Sequence, residues 1–199
     1  MKYMVYLLNT IKSYFYDIRY YFVEDIQMRV NASNYATYRA TKLSPGYLKH
    51  GAKVEGIRYL AKKYCKGQGV DIGASNWTLP GARRVENNSE ENAYTLKQDS
   101  DSLDYVFSSH LLEHLENFEV AINEWSRALK NDGVLFMYLP HPALPMWKKE
   151  YLKYHVWNPN PYFLESFFSE RDDFKLEFLT YQPDGYMSFV CICRKVDKQ

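Results

Sequence analysis

Gly69-Val70-Asp71-Ile72-Gly73-Ala74-Ser75, taken with Leu103-Asp104-Tyr105-Val106-Phe107-Ser108-Ser109-His110 further along, decides the fold class. Each is a short apolar run that ends abruptly at small or polar residues. A buried parallel strand has this form when its carboxyl end opens on a ligand crevice. Val70 to Ile72 is then a core strand, and Gly73, Ala74 and Ser75 let a ligand approach bare backbone. On the N-terminal side, Tyr47 to Cys65 reads as a helix with Val54, Ile57, Leu60, Ala61 and Cys65 on one side. It stops at the glycine-rich Lys66-Gly67-Gln68-Gly69. On the other side, Ala82 to Glu86 reads as a second strand. The stretch between Gly73 and that strand has no room for a crossover helix, which takes a dozen or more residues.

Further on, Asn117 to Lys130 is amphipathic, with Phe118, Ala121, Ile122, Trp125 and Leu129 on one stripe. Asp132-Gly133 ends it, and Val134 to Leu139 is a wholly apolar strand. Phe174 to Tyr181 and Tyr186 to Arg194 are β-rich runs around Gln182-Pro183-Asp184-Gly185, which predicts an antiparallel hairpin.

Three of these segments carry a resemblance to a known family. Asp71-Ile72-Gly73 looks like the first motif of the class I S-adenosylmethionine (SAM)-dependent methyltransferases, of the type 11 kind. Ser108-Ser109-His110 with Leu111-Leu112-Glu113-His114-Leu115 resembles their fourth strand and the turn after it. Leu129 to Phe136 resembles the helix end, turn and fifth strand. The resemblance covers roughly residues 50 to 195. It implies an α/β, Rossmann-like sheet, mostly parallel, with a C-terminal antiparallel hairpin. The short Pro80-Gly81 loop is similar to a subgroup often encoded near surface-polysaccharide genes.

Ligands of open α/β sheets bind beyond the carboxyl ends of the strands. Four segments meet that edge: Gly73-Ala74-Ser75, Glu86-Asn87, Ser108-Ser109-His110 and Pro140-His141-Pro142. The resemblance implies SAM as cofactor, with Asp71, Gly73, Ala74, Ser75, Glu86, Ser109 and His110 around it. Glu86, 15 positions after Asp71, is placed to accept hydrogen bonds from both ribose hydroxyls. The loop from Glu91 to Gln98 is the expected adenine wall. Where an oxygen acceptor must lose a proton, His110 and His141 are the candidate bases. Glu113 and His114 are expected to cap and pack the following helix. His110-Leu111-Leu112-Glu113-His114 also has the H-x-x-E-H spacing of a group of zinc peptidases. The peptidases need it inside a long helix, whereas here it directly follows a strand. No metal is assigned.

The implied activity is methyl transfer to an oxygen or nitrogen of a small-molecule or glycan acceptor. The alternative is a methyltransferase-like SAM-binding or scaffold protein without turnover, prompted by Ala74 and Ser75 where further glycines are usual. Aromatic residues from Met146-Trp147 to Tyr162-Phe163 belong either to an acceptor site or to helix packing. A nucleic-acid substrate is not expected: residues 67–199 carry 13 Lys/Arg against 20 Asp/Glu, and no Asp/Asn-Pro-Pro-Tyr/Phe motif is present.

Residues 1–66 hold 12 Lys/Arg against 4 Asp/Glu, so the two parts of the chain have opposite charge. Residues 1–46 are read as a helical arm and 47–199 as the methyltransferase domain. Met4, Leu8, Ile11, Phe15, Ile18 and Phe22 form an apolar seam at heptad spacing. The seam packs on its own domain, forms a homodimer or touches a membrane surface. Asn31 to Gly46 reads as a loop with a short helical piece. Cys65, Cys191 and Cys193 form no disulfide framework, which fits a reducing cytoplasm. No apolar run is long enough to span a bilayer, so no transmembrane segment is expected.

Overall fold

The computed structural model describes residues 54–74, 78–143, 147–149, 152–184 and 187–197. The arm and its seam lie outside these residues. Six strands form one sheet: β1 (Gly69–Ile72), β2 (Arg83–Val85), β3 (Leu103–Ser109), β4 (Leu129–Pro140), β5 (Phe174–Leu179) and β6 (Ser188–Lys195). Their spatial order is β2-β1-β3-β4-β6-β5. β2, β1, β3 and β4 run parallel, and β6 pairs antiparallel with both β4 and β5. The sheet is therefore the Rossmann-like α/β arrangement the sequence implies, with the C-terminal hairpin in place. The hairpin turn begins at Asp184, whose backbone carbonyl accepts from Met187 N–H at 3.0 Å.

Alternation along the strands sorts the core into two faces. Val70, Ile72, Val106, Leu135, Met137, Leu139, Phe189, Cys191 and Cys193 share one apolar cluster. The opposite parity is buried as well, with Phe107, Phe136 and Tyr138 fully enclosed. Central strands hidden on both sides explain the uninterrupted apolar runs. Cys191 and Cys193 are free thiols with sulfurs 3.9 Å apart on one face, as strand alternation requires.

Three α-helices are described. α1 (Glu55–Tyr64) buries Ile57 and Ala61 and packs on β4. α2 (Phe118–Ala128) buries Ala121, Ile122, Trp125 and Ala128 and also packs on β4. It ends two residues before Lys130, because Leu129 already pairs with Leu103 as the first residue of β4. α3 (Pro161–Ser169) falls in the aromatic-rich stretch and was not read from sequence. Its signal was present, since Asn160 accepts from Phe163 N–H at 2.8 Å and Pro161 occupies the first turn. Phe118 stacks on Trp157 with ring centroids 4.5 Å apart and meets Phe163 edge-on at 5.8 Å, so Trp157 and Phe163 help join α2 to α3.

Two departures from the resemblance concern the β2 side. The strand it numbers fourth is the third here: residues 86–102 hold a loop with a single bridge, Asn92 to Thr95. The β1–β2 connection, Gly73 to Ala82, contains no helix among its described residues. Since β2 has only three residues, the return path is about 10 Å, within reach of ten extended residues.

Candidate functional site

A cleft of about 690 Å³ opens at the carboxyl ends of β1 and β2. Ile72 and Gly73 form its floor, Val85, Glu86 and Asn87 one wall, and Asn92, Ala93 and Tyr94 the wall beside them. Leu111, Leu115 and the first turn of α2 close the far side. Of the four edge segments, the first two reach this cleft, and Ser109, His110 and His141 are not among its lining residues.

Gly73 has φ +77, and its N–H donates to Val85 O at 2.9 Å. A Cβ there would sit 3.0 Å from the Leu111 side chain, so glycine keeps backbone and not side chain against the cleft. Ala74 is buried, and Ser75 lies outside the described residues. Asp71 is 2% exposed; its Oδ2 accepts from Leu79 N–H at 2.7 Å and ties down the loop after β1. Its Oδ1 is buried without a hydrogen-bond partner. Burial pushes the Asp71 carboxyl up to about 7, with the Leu79 bond opposing and the Glu86 charge adding. Glu86 is half-buried and pairs with Arg84 Nε at 2.6 Å, an exposed contact of little net worth.

The 91–98 loop is held firmly. Glu91 is buried, and its carboxylate takes both nitrogens of the Arg83 fork at 2.8 and 2.5 Å. That pairing holds Glu91 below the usual carboxylate range. Trp125 Nε1 donates to Ala93 O at 2.8 Å, and Leu96 N–H donates to Glu124 Oε1 at 2.7 Å. Asn92 and Tyr94, which sequence did not single out, thereby become fixed parts of the cleft wall.

After β3 the chain turns sharply. His110 has φ +50, a conformation costing a non-glycine residue about 1–2 kcal/mol. Its N–H donates to Tyr138 O at 2.8 Å and its Nε2 lies 3.0 Å from Ser188 Oγ. Ser109 ends β3 with its hydroxyl buried and unpartnered. Leu112–His114 is a 3-10 turn, so no long helix carries the H-x-x-E-H spacing and the peptidase arrangement is not formed. α2 has Asn117 as N-cap without a side-chain cap bond, so neither Glu113 nor His114 caps it, contrary to expectation. Glu113 instead turns inward. Its Oε1 lies 3.5 Å from His110 Nδ1, 3.7 Å from His114 Nε2 and 4.0 Å from His155 Nε2. Burial pushes its carboxyl up, but the facing imidazoles outweigh this and the net direction is down. His155 was read only as part of the aromatic stretch; nothing local in the sequence links it to Glu113, 42 positions earlier.

His141 is 1% exposed, accepts from Ala143 N–H at 3.0 Å through Nδ1 and donates Nε2–H to Tyr181 O at 3.1 Å. Burial lowers its conjugate acid to about 4, so it is neutral at physiological pH. Both nitrogens are used in ordering the turn after β4, and the ring does not reach the cleft.

A family model described as a methyltransferase domain matches residues 48–137. No curated protein matches the chain. Among solved structures, it is similar to a SAM-dependent methyltransferase of Thermotoga maritima, described as a possible histamine N-methyltransferase. Identity is 14% and the TM-score 0.52, over 83% of this chain and 96% of that one. The YcgJ protein of Bacillus subtilis shares 11% identity with a TM-score of 0.50, over 71% and 98% of the two chains. The PH0226 protein of Pyrococcus horikoshii shares 16% with a TM-score of 0.50, over 80% and 98%. At such identities the likeness shows the fold. The chain is thus similar to methyltransferases over residues 48–137 and in its Rossmann-like fold.

Proposed function

We propose that the chain transfers a methyl group from SAM to an oxygen or nitrogen of a small-molecule or glycan acceptor. The observation that carries this reading is the cleft itself: bare backbone at Gly73, a carboxylate at Glu86 and the fixed Asn92–Tyr94 wall meet at the ends of β1 and β2. These residues fit the cofactor. Glu86 would hold the ribose hydroxyls, Asn92 to Tyr94 the adenine, and the Gly73 backbone with Ala74 and Ser75 the amino-acid end. Asp71 shapes this loop from behind through Leu79.

SAM supplies a methyl already activated on a sulfonium, so alignment and water exclusion are the protein's main contributions. Leu111, Leu115 and Val120 give the far wall its apolar character. For an acceptor that must lose a proton we keep His110 as the candidate base, although its ring does not line the cleft: Ser188 Oγ and Glu113 Oε1 face its two nitrogens at 3.0 and 3.5 Å, and Trp147 packs on it with centroids 5.5 Å apart. We leave His141 without a chemical role. The subgroup near surface-polysaccharide genes and a cytoplasmic location belong to this proposal. No helix among the described residues is long and apolar enough to cross a membrane.

Calorimetry with SAM and S-adenosylhomocysteine tests the reading. Binding is expected in the wild type, with Glu86→Ala weakening it by roughly 1–3 kcal/mol through loss of charge-assisted bonds. Arg84→Ala, which removes only the exposed partner, should leave it unchanged. A folded protein indifferent to both ligands refutes cofactor binding. Tight binding without turnover over a broad acceptor panel favours the scaffold alternative.

A further inference from the structure

We propose that Glu113, His114 and His155 form a binding site for one divalent transition-metal ion of the zinc class at the wall of the cleft. The inference stands on the cluster's own geometry and does not depend on the methyl-transfer reading.

Glu113 has no exposed surface; neither carboxylate oxygen makes a hydrogen bond of normal geometry, and the groups facing Oε1 are imidazoles, His110 Nδ1 the nearest at 3.5 Å. A buried carboxylate left this way is strongly unfavourable unless a cation compensates it. One ligand atom from each of Glu113, His114 and His155 lies within 4.8 Å of the others. A tetrahedral zinc ion with bonds of about 2.0–2.1 Å sets its ligand atoms roughly 3.3 Å apart. The distances of 3.7 and 4.0 Å from Oε1 to the two Nε2 atoms exceed that spacing by about 0.4 and 0.7 Å, and the ligand atoms spread over as much as 4.8 Å, so the two rings must draw together to close the site.

The hydrogen bonds behind the rings fit the same purpose. His114 Nδ1–H donates to Tyr154 O at 2.7 Å, and His155 Nδ1–H donates to Trp147 O at 2.6 Å. Each bond fixes the tautomer that leaves Nε2 with a free lone pair on the Glu113 side. Metal-binding imidazoles carry such a second bond. The backbone also clamps the two segments together. Val156 N–H donates to Glu113 O at 2.9 Å and Trp157 Nε1–H to Leu112 O at 2.8 Å. The donors are thus pre-positioned although they come from distant parts of the chain.

Two imidazoles and one carboxylate select a zinc-class ion over calcium or magnesium, which prefer all-oxygen sites. Three protein ligands leave a fourth position for water or an acceptor heteroatom, the pattern of zinc sites that do chemistry. His114 also lines the cleft, so the ion would lie beside the space available to an acceptor.

The test uses tag-free protein, stripped with chelator and confirmed folded by circular dichroism, then titrated with Zn²⁺ against a chromophoric chelator. One equivalent should bind, with Glu113→Gln and His155→Ala each weakening it by about 100-fold or more. Co²⁺ should give visible ligand-field bands that the same variants lose. His114→Ala, at an exposed ring, keeps the test decisive if the buried variants do not fold. Absence of zinc binding, or equal binding by the wild type and every folded variant, overturns the site.

Discussion

Asp71 is a carboxylate held where charge is disfavoured. The sequence motif marked it as a loop-ordering residue, and the Leu79 N–H bond shows how it does so. Its burial and unpartnered Oδ1 were not legible, because they depend on what β3 and the 78–82 loop place around it. Burial first, then the Glu86 charge, raise its folded pKa from 3.8 to about 7, against the Leu79 bond. A raised folded pKa means that the native state binds the extra proton. The associated stability is fully present below the unfolded value and is lost as pH rises through about 7. A three-unit shift corresponds to roughly 4 kcal/mol as an upper figure. Asp71→Asn keeps an oxygen for Leu79 N–H and removes the charge. The variant should show a flatter stability profile between pH 4 and 8 and exceed the wild type at pH 8. Urea unfolding across that range measures this, and parallel profiles would exonerate Asp71 as the titrating group.

At the scale of elements, α2 links the core to the cleft. Trp125 is fully buried in the stripe that the sequence revealed, and its Nε1–H holds Ala93 O, whose residue lines the cleft wall. Trp125→Phe retains much of the apolar bulk but orphans that carbonyl, a loss of about 1–3 kcal/mol in stability. It should also weaken S-adenosylhomocysteine binding without touching the ligand, since the 92–94 wall loses its anchor. Thermal unfolding and calorimetry on the one variant read both effects; intact affinity despite lower stability would mean that the wall is held elsewhere. The strands and the α2 stripe were legible because periodicity and turn residues are local signals. α3 was hidden among aromatics whose helical spacing competed with an acceptor-site reading. The Glu113 cluster was hidden for a different reason: its spacing suggested a helix, while a left-handed His110 and a 3-10 turn send the carboxylate inward. A contact between residues 113 and 155 is a tertiary fact that no local pattern carries.

For the whole molecule, the opposing charges of residues 1–66 and 67–199 and the apolar seam of the arm make one further prediction. We propose that the arm, residues 1–46, is an added element that covers the crevice or forms a homodimer. A seam of Met4, Leu8, Ile11, Phe15, Ile18 and Phe22 is too apolar to stay solvated. Burying it contributes roughly 25 cal/mol per Å² of apolar surface. Attraction between exposed charges is screened beyond about 8 Å at physiological ionic strength, so it supplies the smaller term. Hydrophobic packing should therefore hold the arm, with charge setting its orientation. Deleting residues 1–30 should lower solubility or change the mass in solution by light scattering, whereas high salt should do little to the intact chain. Dissociation or precipitation of the intact chain by salt would reverse that order of forces. A deletion variant with unchanged oligomeric state, melting temperature and SAM affinity would show instead that the seam contributes nothing to the folded domain.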